Sequence, residues 1–149
     1  MPLNPEISRF IREHLDDNPD QLLWKKNEYP DDRVVVAVEQ IQARENIKEK
    51  LPLWYACRDI FYPSKLSTEQ CSSETTAPYK ARLTTGNSLC DLTGGLGVDT
   101  YFFSRQVDKV TYVERDKSYC EAARFNFLAL GATNIEVIHA DATTVANQV

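Results

Sequence analysis

The feature that most constrains this chain is a glycine-rich segment between an apolar strand pattern and a helical pattern. Ser88–Leu92 is short, apolar and carries a carboxylate near its end, and Thr93–Gly97 follows at once. A helix is predicted from Val98 to Arg105. Glycines at 95 and 97 let the backbone turn sharply and approach a ligand without a side chain between them. The strand, glycine loop and helix together predict a cofactor-binding loop.

Two more strands follow within 87–149. Lys109–Glu114 is rich in β-branched and aromatic residues, which favours a second strand. The next stretch is an amphipathic helix over Ser118–Leu130, with Gly131 as its C-cap. Ile135–Ala140 is the third strand. Strands joined by helical crossovers predict an α/β fold with a Rossmann-like parallel sheet, here its first three strands.

Each predicted strand ends in an acid. Asp91, Glu114 and Asp141 stand at or directly after the three strand ends, and open parallel sheets bind ligands at that edge. A carboxylate at Glu114 can accept two hydrogen bonds from a ribose diol. Asp141 lies where an adenine amino group would project, and the helix after the loop offers N–H groups to a carboxylate or phosphate.

The loop favours S-adenosylmethionine over a dinucleotide. A dinucleotide fingerprint requires a third glycine, but Gly95 and Gly97 are followed by Thr100. Asp91 directly before the loop would repel a pyrophosphate and suits the cationic amino and sulfonium groups of S-adenosylmethionine. The alternatives are an NAD(P)-binding domain and a non-catalytic adapter whose loop is vestigial.

Residues 1–86 are predicted to form a helical module. Asn4-Pro5 and Asn18-Pro19 are typical helix starts. From Asp32 to Pro52 the pattern predicts one long helix, although Val34–Val36 also suits a strand.

The rest of this module is predicted as shorter helices. Leu53–Phe61 has the apolar face of a short helix ended by proline. A capping box is predicted with Ser67 as the cap and Gln70 reaching back. Pro78 predicts a kink or break in the helix that follows, and Gly86-Asn87 is a turn that ends the module.

Composition excludes several classes of function. The chain has 17 Lys and Arg against 22 Asp and Glu, a net charge of −5, so it is no basic nucleic-acid platform. The absence of a signal peptide or apolar span predicts a soluble, cytoplasmic protein. Its four cysteines form no Cys-x-x-Cys pair, and only His14 and His139 could supplement them. We expect buried reduced thiols, no metal and no cysteine nucleophile.

The motifs resemble those of class I S-adenosylmethionine-dependent methyltransferases, especially RNA-type enzymes. Asp91–Asp99 resembles their first motif, Tyr112–Arg115 the second and Ala140–Ala142 the third. Leu66–Glu74 with Tyr79–Ala81 is similar to a family of bacterial methyltransferases that carry a C-terminal THUMP-like domain. This resemblance spans nearly the whole chain. It implies an RNA substrate, an exocyclic base nitrogen as the methylated atom, and a cofactor pocket lined by the helix that carries Gln70.

The sequence patterns and the resemblance together predict a set of cofactor-binding residues, but they identify no catalytic residue. The predicted cofactor-binding residues are Gln70, Asp91, Thr93, Gly94, Gly95, Gly97, Asp99, Glu114, Arg115, Asp141 and Ala142. The family's Asp-Pro motif on a fourth strand does not occur before Val149. We therefore expect this chain alone to be inactive, to bind the cofactor weakly at best, and to self-associate through the Leu89–Leu92 strand edge.

Overall fold

The computed structural model describes residues 4–145 and has the expected α/β architecture, with helices preceding a three-stranded sheet. One short 3₁₀ helix lies at Lys26–Glu28. The α-helices of the described range are α1 (Pro5–His14), α2 (Pro19–Trp24), α3 (Arg33–Ile47), α4 (Pro52–Ala56), α5 (Lys65–Gln70), α6 (Thr76–Arg82), α7 (Val98–Phe103), α8 (Lys117–Ala129) and α9 (Ala142–Val145). The strands are β1 (Ser88–Asp91), β2 (Lys109–Glu114) and β3 (Ile135–His139).

The sheet is parallel, with the strand order β1-β2-β3 in the described chain. Cys90 pairs with Thr111, and Glu114 pairs with His139. This register brings the ends of the three strands to one edge of the sheet. The predicted parallel topology is confirmed, and the limits of the helices and strands in residues 87–141 differ from those predicted by at most two residues, as helix and strand ends usually do.

The predicted helix starts are confirmed by their hydrogen bonds. Asn4 Oδ1 accepts the Glu6 N–H at 2.9 Å, and Asn18 Oδ1 accepts the N–H groups of Asp20 and Gln21 at 3.0 and 3.1 Å. At the end of α8, Gly131 adopts a φ of +72°. Each of these polar contacts satisfies backbone groups that a helix end leaves without partners.

The valine cluster belongs to a helix, so the strand alternative is wrong. Val34, Ala37, Val38 and Ile41 form a buried stripe on α3 at helical spacing. That stripe packs against α1 and α2, and the three helices form a second hydrophobic cluster. Burial on one helical face overrides the β preference of three consecutive β-branched residues.

Two predicted helices are shorter than expected. The long helix ends at Ile47 rather than at Pro52. The helix expected over Leu53–Phe61 stops at Ala56, because Cys57 turns to an extended conformation with φ −81° and ψ 105°. Helical spacing continues past Ala56 in the sequence, but tertiary hydrogen bonds hold the following segment in a different conformation.

The predicted capping box is also wrong. Ser64, not Ser67, caps α5: its Oγ accepts the Ser67 N–H at 3.1 Å, and the buried Ser67 hydroxyl donates back to the Ser64 carbonyl at 2.6 Å. Gln70 is the last residue of this helix and does not begin one. The kink or break predicted at Pro78 is wrong in its position: the chain leaves the helix after Gln70, and Pro78 lies within the first turn of α6, where N–H groups lack intrahelical acceptors.

One hydrophobic core crosses the predicted boundary at residue 86. Side chains from before and after Gly86 form a single cluster of buried residues, with Trp54 and Tyr112 both fully buried. Its members are Ala43, Ile47, Leu51, Trp54, Ile60, Tyr62, Ala77, Leu96, Val98, Tyr101, Tyr112, Cys120, Ala123 and Phe127. The division into 1–86 and 87–149 stays a prediction, and the two parts share this core.

Two buried amide side chains, one on α8 and one on α3, clamp the irregular segment that follows α4. Asn126 on α8 accepts the Phe61 N–H and donates to the Phe61 carbonyl, both at 2.8 Å. Gln40 on α3 does the same to Tyr62, at 2.9 and 2.8 Å. Each amide satisfies both backbone groups of one residue, as a neighbouring strand would.

We expect Asn126→Ala to destabilise the protein by about 2–4 kcal/mol, because it leaves the Phe61 N–H and carbonyl buried without partners. Urea unfolding followed by circular dichroism measures the change. Leu128→Ala on the same helix is the matched control, since Leu128 is 71% exposed and its loss should change stability by at most about 0.5 kcal/mol. Equal midpoints for the two variants would contradict a structural role for the clamp.

Candidate cofactor site

The glycine loop begins where β1 ends and is shaped first by Asp91. The Asp91 carboxylate accepts the Thr93 N–H at 3.1 Å through one oxygen and the Thr100 hydroxyl at 2.5 Å through the other. Thr100 is fully buried on α7. The strand-end acid therefore ties the start of the loop to the helix that follows it.

Strand β2 holds the loop from its other side. The Gly94 N–H donates to the Val113 carbonyl at 3.0 Å, and the Tyr112 hydroxyl donates to the Gly95 carbonyl at 2.6 Å. The Gly95 N–H donates to Glu114 Oε2 at 3.1 Å. Three consecutive residues of β2 thus fix the position of two consecutive glycines, and the loop backbone is set before any ligand arrives.

The glycines of the loop serve different purposes. A Cβ built on Gly94 would lie 2.2 Å from the Tyr112 ring, so this glycine is required for packing. On Gly95, whose φ is +53°, a Cβ would meet only the Thr93 carbonyl at 3.7 Å. Gly95 therefore leaves open space above the loop, and a ligand can approach its backbone there.

A pocket of about 320 Å³ lies between this loop and the segment that joins α5 to α6. The loop forms one side of it, and residues from the helical part form the other. Its lining consists of Ser67, Gln70, Cys71, Ser72, Lys80, Thr93, Gly94, Gly95, Leu96, Gly97, Val98, Asp99 and Tyr119. The structure thus brings Gln70 and Asp99 together with the predicted loop residues Thr93, Gly94, Gly95 and Gly97.

Anchoring contacts explain how the α5–α6 segment reaches the loop. Lys50 donates to the carbonyls of Thr68 and Glu69 at 3.2 and 2.9 Å, at the end of α5. Glu74 Oε1 accepts the Leu53 N–H at 2.7 Å, at the start of α4. Lys50, in the turn after α3, and Glu74, within the segment itself, therefore fix this segment at both ends and hold Gln70 at the pocket.

An ion pair crosses the pocket wall. Lys80 on α6 donates to Asp99 Oδ2 on α7 at 2.8 Å and to Ser72 Oγ at 2.8 Å, and Ser72 donates to the same carboxylate oxygen at 2.9 Å. Asp99 Oδ1 is buried and has no hydrogen-bond partner. The carboxylate therefore keeps acceptor capacity that the described protein does not use.

The remaining predicted residues lie outside the lining of this pocket. Glu114 is half-buried beside it and also accepts the Asp116 N–H at 2.9 Å. The Arg115 carbonyl contacts His139 Nε2 at 2.9 Å. Asp141 is exposed, and a hydrogen bond from the Thr143 side chain lowers its pKa. Ala142 is half-buried and begins α9.

The sequence did not identify several residues of the pocket. Ser67, Ser72, Lys80 and Tyr119 line it, and Tyr112 positions the loop. Their local patterns do not differ from those of surface or core residues, since packing between distant helices brings them together. Lys80 stands in the Tyr79–Ala81 segment of the family resemblance, but no local pattern there indicates that its side chain reaches the glycine loop.

The cysteines are free, but only Cys120 is buried, whereas Cys57, Cys71 and Cys90 are half-buried. The expectation of four buried thiols is wrong for those three. Burial raises the pKa of the Cys71 thiol, which lines the pocket. A raised pKa keeps the thiol protonated and lowers its reactivity.

Residues 4–145 contain neither a metal-ligating cluster nor a membrane-spanning helix. Across residues 4–145, no group of three His, Cys, Asp or Glu side chains is placed to hold a metal ion. In the same range, no helix combines the length and apolar character needed to cross a bilayer.

Comparison with known proteins gives one informative match. The sequence matches no protein-family model and no curated protein. Its fold is similar to a crystal structure from Porphyromonas gingivalis W83 described as a "putative methyltransferase", with a TM-score of 0.82 and 29% sequence identity over 97% of this chain. The chain spans 37% of the length of that protein. Fold and sequence similarity therefore support a methyltransferase.

Proposed function

We propose that this chain is the cofactor-binding part of an S-adenosylmethionine-dependent methyltransferase. The observation that carries the proposal is the pocket over Gly95, at the carboxyl end of β1, with an Asp99–Lys80 pair in its wall. Parallel sheets bind nucleotides at this edge. When bound, S-adenosylmethionine supplies a methyl group on a cationic sulfur.

The residues present fit this cofactor in three respects. The open position above Gly95 admits a ligand close to the loop backbone. The spare acceptor Asp99 Oδ1 matches the ammonium group of an amino acid. Asp91 directs both oxygens at the loop and α7, so its role in this proposal is to position the loop and supply negative charge near the sulfonium.

Glu114 is proposed to bind the ribose. Its two oxygens each accept one backbone N–H, and each carboxylate oxygen can accept a second hydrogen bond. The diol of a ribose supplies two hydroxyl donors at matching separation. Arg115, Asp141 and Ala142 lie at the neighbouring strand ends, and they form the proposed adenine end of the site.

Replacing Glu114 with alanine in the complete protein should weaken S-adenosylmethionine binding by about 1.5–3 kcal/mol, which is the usual loss for a hydrogen bond to a charged group. Isothermal titration calorimetry of the wild type and the variant measures this loss of affinity. Titration of the wild type with NAD⁺ tests the alternative cofactor. Glu136→Ala is the matched control, since Glu136 pairs with Lys109 on the sheet surface. Unchanged affinity in Glu114→Ala would remove this residue from the site, and preferred binding of NAD⁺ would refute the proposed cofactor.

RNA is the proposed substrate of the complete protein. Support comes from the resemblance of the Asp91–Asp99 motif to RNA-type enzymes, and the THUMP-like family is proposed on the similarity of Leu66–Glu74. Methyl transfer from radiolabelled S-adenosylmethionine to purified total RNA, to protein and to small-molecule fractions tests this directly. Label confined to protein or small molecules would exclude RNA.

Self-association through β1 is a separate proposal. In the described chain β1 pairs with β2 alone, and an unpaired strand edge invites another chain. Analytical ultracentrifugation over a range of concentrations measures it, and a monomer at high concentration would contradict it.

A further inference from the structure

Lys80 forms an ion pair with Asp99 and also faces the pocket, which an ion pair with a purely structural role does not require. Its ammonium donates one hydrogen bond to Asp99 Oδ2 and one to Ser72 Oγ, each at 2.8 Å. An ammonium group carries three donors. Its side chain is 44% exposed and lines the pocket, so a further donor remains for a ligand there.

The charges of the pocket wall form a matched pair. Among the described residues that line the pocket, Lys80 is the single cation and Asp99 the single carboxylate. The two are held side by side by Ser72, which contacts both. A ligand that carries a carboxylate and an ammonium group on the same carbon could place the carboxylate at Lys80 and the ammonium at Asp99.

We propose that Lys80 binds the carboxylate of the cofactor's α-amino acid group, with Asp99 receiving the ammonium. This rests on the proposed function and deepens it, because it gives the helical part of the chain a direct role in cofactor recognition. Lys80 lies on α6, before the glycine loop in sequence, and reaches the pocket because α6 packs on α7. The amino acid end then lies between the α5–α6 segment and the loop, and the adenosine end lies towards Glu114.

The alternative is a purely structural pair that fastens α6 to α7. An exposed pair of this kind contributes little stability, and it would not depend on what the pocket contains. The two possibilities therefore differ in ligand selectivity, which can be measured separately from stability.

The test compares two ligands that share the adenosine and sulfur and differ in the amino acid portion. S-adenosylhomocysteine carries the amino acid group, whereas 5′-methylthioadenosine has the same nucleoside and thioether sulfur without it. In calorimetric titrations of the complete protein, Lys80→Met should lower the affinity for S-adenosylhomocysteine by about 10- to 100-fold. Its affinity for 5′-methylthioadenosine should stay within about twofold of wild type, and Lys80→Arg should restore part of the lost affinity.

Lys109→Met is the matched control, because Lys109 forms an ion pair of the same length, 2.8 Å, with Glu136 on the sheet. It should change neither affinity. Equal losses for both ligands in Lys80→Met, or no loss for either, would overturn the role of Lys80 while leaving the proposed cofactor intact. Wild-type protein that binds neither ligand would overturn the proposed function and this inference together.

Discussion

Replacing Gly95 with valine in the complete protein is expected to abolish S-adenosylmethionine binding, with a loss of about 100-fold or more, while the protein remains folded. A Cβ at this position meets no atom closer than the Thr93 carbonyl at 3.7 Å, so the branched side chain would occupy the space above the loop. The protein itself bears only the strain of a non-glycine residue at φ +53°, about 1–2 kcal/mol. Calorimetry gives the affinity, and thermal unfolding gives the stability.

A second glycine separates backbone strain from lost ligand space. Gly131 has a φ of +72° and no atom within 4 Å of its Cβ position, and it lies at the end of α8, away from the pocket. Gly131→Val should therefore lose similar stability and keep full affinity. Binding that survives in Gly95→Val, or that falls equally in both variants, would show that the loop is not the cofactor site.

Replacing Gly94 with alanine is expected to have the opposite effect and to destabilise the fold itself, by about 3 kcal/mol or more. Its Cβ would lie 2.2 Å from Cε2 of Tyr112. That ring is fully buried and packs edge-on against Phe127 at 5.7 Å between ring centroids. The ring cannot retreat, because its hydroxyl is bonded to the Gly95 carbonyl and the core behind it is close-packed.

A double-mutant cycle tests this cause. Tyr112→Leu removes the ring, so the cost of Gly94→Ala should fall by at least half in that background, as measured by urea unfolding. Tyr112→Phe removes the hydroxyl restraint but keeps the ring carbons that clash and the close-packed core behind them, so it should give much less relief than Tyr112→Leu. An additive result with Tyr112→Leu would mean that contact with the ring does not explain the requirement for glycine.

Most strands and helices of residues 87–145 could be predicted, because their sequence patterns depend on neighbouring residues. Lys109–Glu114 is β-branched and aromatic, and the structure confirms it as a strand with the predicted ends. Asn4 and Asn18 start helices by bonding N–H groups two or three residues away. Such interactions depend only on neighbours along the chain, so the sequence displays them directly.

Where the prediction was wrong, a distant contact outweighed a local pattern. Helical spacing runs through Leu53–Phe61, but the chain leaves the helix at Cys57 because Asn126 and Gln40 bind the backbone of Phe61 and Tyr62. Ser67 fits a capping box in sequence, yet Ser64 takes that role. Four hydrogen bonds to backbone groups, two buried and two part-buried, stabilise the segment after α4 more than one further helical turn would.

The sequence by itself determined the strand–loop–helix frame, the glycine positions and the strand-end acids, because backbone conformation and strand polarity follow from adjacent residues. Tertiary structure alone decided how these residues are used. Packing of α6 on α7 brings Lys80 and Ser72 to Asp99, and β2 holds Gly95 through the side chains of Tyr112 and Glu114. These partners are 17 to 27 residues apart in sequence, and only burial of the shared hydrophobic core brings them within hydrogen-bonding distance.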